Sequence, residues 1–234
     1  MMDPSKLTDR LRGILKTPAP RVETVPVQKA PEIERALGGA WEGEEGRRAF
    51  VVERRADPDE ACGRMKVRDI VDRHSRAAAC ATLLAPGLPA AKPPFVFLDL
   101  ETTGLSGGAG TYAFLVGLGR FDDGGGFVTR QYLLTGFAEE RPLLAVLSLE
   151  LAQAGAIVSF NGKSFDAPLL DTRYLYHRLA NPLTALHHLD ALHPARRFWS
   201  DETATCALTT LEHKVLGAPR HDGGPGVAFP GRFL

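Results

Sequence analysis

Cysteine is scarce and poorly placed for metal. The chain has three, Cys62, Cys80 and Cys206, an odd number with no Cys-x-x-Cys pair. That excludes a cysteine-built zinc module and a disulfide scaffold. Reduced, buried thiols in a cytosolic protein are the simplest account. Long apolar runs are missing too. No stretch approaches the roughly 20 apolar residues that a membrane-spanning helix needs, and Met1-Met-Asp-Pro-Ser-Lys-Leu7 has no apolar signal core. The expectations are a cytoplasmic location and no membrane partner. A dominant charge is absent as well: 28 Lys and Arg balance 28 Asp and Glu. The stretch before residue 95 differs from the remainder by only about six charge units. There is no broad basic surface of the kind many nucleic-acid binders use, so any nucleic-acid strand would be held in a local groove.

What is present is enough for one domain with a substantial core and an extension. Pro18, Pro20, Pro26 and Pro31, then Gly38, Gly39, Gly43 and Gly46, mark a linker after a short helix near 5–15. Residues 1–46 therefore read as a flexible arm. Residues 50–55 and 63–68 have strand character around Asp57-Pro58-Asp59, which predicts a hairpin. A helix near 69–84 follows, so 47–94 reads as a hairpin-and-helix unit.

Beyond it, residues 111–121 and 127–135 are apolar, aromatic and β-branched. Asp122-Asp-Gly-Gly-Gly126 between them signals an antiparallel hairpin. Leu143, Leu144, Leu147 and Leu151 line one face of a predicted helix over 139–154. Strands at 156–160 and 187–191, with helices at 167–180, 192–199 and 206–216, complete residues 95–234. A hairpin first and α–β alternation later predict an α/β fold, a mixed sheet flanked by helices.

The run Phe95-Val-Phe-Leu-Asp-Leu-Glu-Thr-Thr-Gly104 reads as a buried strand ending in charge. Side chains alternate along a strand, so Phe95, Phe97, Asp99 and Glu101 share one side. Two carboxylates at such an end repel and lose hydration. A hard divalent cation with oxygen ligands relieves both problems. Taken alone, the pair is better explained as two solvated acids in a loop or as the start of a helix.

A second constellation follows the strand at 156–160: Asn161-Gly-Lys-Ser-Phe-Asp166-Ala-Pro168. Proline fits only the first turn of a helix, which puts Asp166 at a helix N-terminus. The dipole favours a carboxylate there, and it can cap free N–H groups. In isolation Asp166 is a cap and Asn161 a turn residue. Strand carboxylates followed by strand, Asn-x4-Asp and helix form a much more specific pattern.

Together these segments resemble the DEDD (DnaQ-like) exonucleases of the ribonuclease H-like superfamily. Asp99-Leu-Glu101-Thr-Thr-Gly104 is similar to their first motif and Asn161-Gly-Lys-Ser-Phe-Asp166 to their second. The wording is closer still to the YprB-like branch. It is shared over Gly107-Gly-Ala-Gly-Thr-Tyr-Ala-Phe-Leu-Val-Gly117, His188-Leu-Asp-Ala-Leu-His-Pro-Ala-Arg-Arg197 and Leu211-Glu-His-Lys-Val-Leu-Gly217, within about residues 45–234.

The resemblance implies a three-layer ribonuclease H-like domain and 3′–5′ cleavage of single-stranded DNA or RNA. It also implies a two-metal Mg2+ or Mn2+ site on Asp99, Glu101 and Asp166. Asp99 would bridge the ions, Glu101 would bind one, and Asp166 the other. Thr102, Gly104, Asn161 and Lys163 are the matching candidates for substrate contact. The family's third motif, a His or Tyr before a final Asp, has no matching position before Leu234. Gly223 also replaces a common second acid in Arg220-His-Asp-Gly-Gly-Pro-Gly226. The expectation is a member truncated before the third motif. The alternative is a catalytically impaired, nucleic-acid-binding relative.

Other patterns carry less. Gly162-Lys163-Ser164 resembles the end of a P-loop, but Ile157 occupies the place of the required glycine. His187, His188, His193 and Asp190 lack helical zinc spacing. Asp190 matches a common acid of the resembling family but reads first as structural. Residues 104–110 read equally as a close-approach loop or a plain turn. Trp41, Trp199 and Tyr112 could stack on bases, with core packing the default for each.

Overall fold

The computed structural model describes residues 30–44, 46–78, 91–104, 110–203 and 205–218. The helix expected near 5–15, Cys80, the middle of the 104–110 loop and the Arg220–Gly226 pattern lie outside these residues. Among the described residues, no helix is long and apolar enough to cross a membrane.

One seven-stranded mixed sheet organises the chain. Its strands are β1 (Ala40–Glu44), β2 (Arg47–Ala56), β5 (Phe95–Thr102), β6 (Ala113–Phe121), β7 (Phe127–Leu133), β8 (Ala156–Ser159) and β9 (His187–Asp190). They lie in the order β1-β2-β7-β6-β5-β8-β9. β5, β8 and β9 run parallel, while the β6–β7 hairpin runs antiparallel beside β5. The turn predicted at 122–126 closes that hairpin. The Asp122 N–H donates to the Gly126 carbonyl and the Gly126 N–H donates to the Asp122 carboxylate, while Gly125 takes a φ of 77° that a side chain rarely allows.

The fold is α/β, as the order of elements predicts, and ribonuclease H-like, as the resemblance implies. The N-terminal pairing differs from expectation. β2 does not fold back on residues 63–68. It pairs with β7 on one side and β1 on the other. Only β3 (Ala61–Cys62) and β4 (Met65–Lys66) form a short ladder in that region. The reason is burial. Ala49, Phe50, Val51 and Val52 form a continuous buried run, and a strand buried on both faces belongs inside a large sheet rather than in an isolated hairpin. Residues 30–44, read as part of the arm, supply helix α1 (Ala30–Leu37) and β1.

Helix α2 (Val67–Ala78) lies against one face of the sheet. There His74 packs on Phe95, Phe97 and Phe121, and burial holds its imidazole below the ordinary value. The other face carries α3 (Glu140–Leu151) and α4 (Asp166–Tyr176). Leu143, Leu144, Leu147 and Leu151 of α3 and Leu169, Leu170 and Tyr174 of α4 share one core with Val96, Leu98 and Leu100 of β5. Each fully buried side chain of this kind contributes about 1.5–3 kcal/mol. β5 is therefore gripped on both faces, which fixes where its last residues point. Two further helices, α5 (Leu192–Trp199) and α6 (Leu208–Leu211), follow β9. A single wider turn over Glu212–Leu216 continues α6 and ends at Gly217.

Candidate active site at the sheet's C-terminal edge

Three parallel strands end side by side, and each end delivers acid. In open α/β sheets this edge is the usual ligand crevice. Along β5, Val96, Leu98 and Leu100 are buried in the main core. Phe97, Asp99 and Glu101 follow one another on the opposite face. The alternation expected from sequence is therefore present, with Asp99 exposed and Glu101 half-buried.

The strand is irregular at this point. Glu101 faces Leu115, but Thr102 faces Ala113, so the register shifts between the two. A bulge of this kind re-aims the side chains beside it. Past the bulge, Thr103 and Tyr112 hold the strand end. The Thr103 N–H donates to the Tyr112 carbonyl, and the Tyr112 N–H donates to the Thr103 hydroxyl, both at 3.0 Å. The Thr102 hydroxyl donates to the Gly104 carbonyl at 3.0 Å, so this candidate substrate contact is engaged in its own turn.

Asp166 arrives from β8 through a tight connection. Asn161 adopts a φ of 67°, a left-handed conformation that Asn tolerates better than most residues. The Ala167 N–H donates to the Gly162 carbonyl at 2.8 Å. Gly162 has no room for a side chain. A Cβ there would lie 2.5 Å from Ser159 Oγ and 2.8 Å from Asp166 Oδ2. Asp166 does not cap the helix. Phe165 occupies the cap position and Asp166 is the first helical residue.

The environment of Asp166 is instead electrostatic. Burial pushes its carboxyl up to about 7, and the neighbouring Asp99, Asp190 and Glu101 charges push in the same direction. The two halves of the sequence pattern thus meet in space. The dipole at the start of α4 favours a negative charge, yet it does not offset the other acids.

Asp190 is the residue whose part the sequence left least defined. It is buried, and both its oxygens accept backbone donors. Oδ1 takes the N–H of Asn161 at 2.8 Å and of Leu192 at 3.0 Å, while Oδ2 takes that of Lys163 at 3.1 Å. Burial alone would raise its carboxyl. These bonds and His193 outweigh burial and hold it below the usual carboxylate range. Next to it, Ser159 Oγ and His188 Nε2 are 2.7 Å apart. Burial, with help from Lys163, keeps His188 below the ordinary imidazole value despite Asp190. The Lys163 side chain and Gly104 are exposed, and Asn161 is half-buried.

Among the described residues, no three His, Cys, Asp or Glu side chains are grouped as a ready metal cluster. The donor chemistry nevertheless fits a hard cation. Asp99, Glu101 and Asp166 offer only oxygen, and the Asp166 carboxyl holds its proton to about 7 beside the other acids.

Tyr112, paired with Thr103 just past the β5 acids, belongs to a group of aromatic rings. Tyr112 packs on Phe137 with ring centres 4.6 Å apart and planes tilted by 42°, and the Arg173 guanidinium lies 4.3 Å from the Tyr112 ring centre. Phe137 is 70% exposed. Sequence reading singled out Tyr112 but missed Phe137 and Arg173. Their signal is weak, because Phe137 falls between two predicted elements and Arg173 lies in a helix predicted without reference to function.

Comparison with known proteins adds a family. A family model described as the RNase H superfamily matches residues 96–233. The uncharacterized protein YprB of Bacillus subtilis (strain 168) is 34% identical over 167 residues, which cover 70% of this chain. The chain spans 39% of that relative's length. Two solved structures resemble part of the chain, each with a TM-score of 0.44 over 55% of it. One is an ExoI/SSB-Ct complex, 16% identical and covered over 37% of its chain. The other is E. coli Exonuclease I in complex with a dT13 oligonucleotide, 15% identical and covered over 36%.

Proposed function

The chain belongs to the RNase H superfamily, and on that premise we propose that the acid-lined edge is a metal-dependent nuclease site. Its substrate is single-stranded DNA or RNA, and its action is removal of nucleotides from a 3′ end. The observation that carries this reading is convergence: the adjacent ends of β5 and β8 bring Asp99, Glu101 and Asp166 together, and burial with the neighbouring charges pushes the Asp166 carboxyl up. A protein gains nothing for its own stability by gathering such charges. A divalent cation compensates them.

Asp99, Glu101 and Asp166 would hold Mg2+ or Mn2+. Such ions, when bound, neutralise charge on a phosphodiester and lower the pKa of water. The chain's own residues supply the rest. The bulge after Glu101 aims the β5 acids outward, and the turn at 161–166 brings in the third. Lys163, exposed on that turn, meets a backbone phosphate. Phe137, backed by Tyr112, offers a face on which an unpaired base stacks. Base–aromatic stacking contributes about 1–3 kcal/mol per base, which favours a single strand over a duplex.

The decisive measurement is hydrolysis of end-labelled single-stranded DNA and RNA with Mg2+, Mn2+ or EDTA, using wild type and Asp99→Asn. Stepwise shortening from the 3′ end that requires metal and Asp99 supports the proposal. Tight oligonucleotide binding without cleavage would favour the second reading, a catalytically impaired binding protein. One observation points that way: three backbone bonds engage Asp190, so this neighbouring acid is not free to serve as a further ligand.

A further inference from the structure

Asp190 lies among the acids but faces away from their chemistry. Its two oxygens are spent on three backbone N–H groups, and two of those belong to alternate residues of one turn, Asn161 and Lys163. The third, Leu192, opens α5. That turn is the only covalent route from β8 to Asp166, and it has little latitude. Asn161 is left-handed at φ 67°. Gly162 lies so close to Ser159 and Asp166 that no Cβ fits between them. The left-handed region is sparsely populated even for Asn, so bonds to this turn help to hold its shape.

We propose that Asp190 is a positioning residue: its carboxylate clamps the 161–163 backbone and thereby sets Asp166 against Asp99 and Glu101. β9 runs parallel to β8, with Asp190 level with Ser159. The clamp therefore transmits the registry of the sheet to the start of α4. Asp190 itself binds no ion. Its consequence for metal rests on the nuclease-site reading, whereas the clamp does not.

Two measurements separate these levels. Amide hydrogen exchange on the metal-free 234-residue chain reads the clamp. In Asp190→Ala, the amides of Asn161 and Lys163 should exchange at least about tenfold faster, while core amides of β5 and β6 keep their protection. Asp190→Asn retains one acceptor oxygen and should fall between, which keeps the test usable if the alanine variant folds poorly. Unchanged exchange at Asn161 and Lys163 would overturn the proposal.

Mn2+ titration by calorimetry reads the consequence. Asp190→Ala should weaken binding about tenfold or more, as loss of an orienting group does at metal sites. The same change made in Asp166→Asn should alter affinity less than about twofold, because a group that acts through Asp166 has nothing left to position. Equal losses in both backgrounds would make Asp190 a ligand and overturn the proposal. Unchanged affinity with lost protection would overturn it too. If wild type binds no Mn2+, the metal-site reading falls, and the exchange rates still judge the clamp.

Discussion

Arg173 and Glu140 form a buried ion pair between α4 and α3. Arg173 Nε donates to Glu140 Oε1 at 2.6 Å and Nη2 donates to Oε2, with 1% and 3% of the side chains exposed. His177 Nε2 lies 2.6 Å from the same Oε2. The guanidinium is also flanked by the rings of Tyr112 and Tyr176. The pair ties the helix that begins with Asp166 to α3, and the Tyr112 contact ties it to the segment facing Thr103.

Removing one partner breaks a buried bidentate pair. Glu140→Ala should destabilise the protein by about 3–5 kcal/mol, since it takes the carboxylate away from a buried guanidinium. Glu140→Leu with Arg173→Met should cost much less, because both charges are gone. Urea titrations of the three proteins check this. Equal losses in the single and double variants would mean that packing, rather than charge, dominates.

Asp99 should behave in the opposite way. It is exposed on an acid-rich edge, so Asp99→Ala in EDTA should leave the melting temperature unchanged or raise it. With Mn2+ present, wild type should gain more stability than the variant, as mass action requires of a ligand that binds the folded state. A large fall in melting temperature in EDTA would assign Asp99 a structural role.

The pH dependence of stability follows from Asp166. Its folded-state pKa of about 7 exceeds the ordinary 3.8. The folded protein therefore takes up a proton that the unfolded chain does not, so stability is gained as pH falls from about 7 towards 4 and lost above 7. Asp166→Asn should accordingly be more stable than wild type in EDTA at pH 8, by about 2–4 kcal/mol. Most of that advantage should vanish by pH 5. His74 and His188, with depressed values, act in the other direction but largely cancel in the comparison. A constant difference between pH 5 and pH 8 would contradict the assigned environment.

Phe137 offers a test of substrate that leaves the acids intact. Phe137→Ala should weaken binding of a single-stranded oligonucleotide by about 5–100-fold, the range set by one lost base stack. Thermal stability should barely change, because the ring is mostly exposed. Fluorescence anisotropy in Ca2+ or EDTA measures the affinity without turnover. Unaltered binding would remove the ring from the substrate path.

Much of this architecture was legible because periodicity reports burial. The Leu143, Leu144, Leu147 and Leu151 stripe lies in the core, and the Phe95–Phe97–Asp99–Glu101 row shares a face. What periodicity does not report is which strand pairs with which. Phe50–Val52 reads as a strand, but its partner β7 lies about 80 residues away, beyond any local turn signal. In isolation Asp166 reads better as a helix cap than as a site residue. The structure places Phe165 at the cap and Asp99, Glu101 and Asp190 near Asp166, an arrangement that no local signal announces. Asp190 was harder still, since its partners are backbone groups that carry no sequence signature.

β7 would offer a bare row of N–H and C=O groups if the sheet stopped there, and such a row is a template for another chain. β2 covers it from Phe50–Leu133 to Ala56–Phe127, and β1 then covers β2. The exposed border of the sheet moves to a five-residue strand that carries Glu42 and Glu44 and kinks at Gly43, with φ 111°. A short, charged and bent border resists foreign strands. The N-terminal strands therefore serve solubility. A protein begun at Phe95 would keep every candidate acid and still be expected to self-associate through β7.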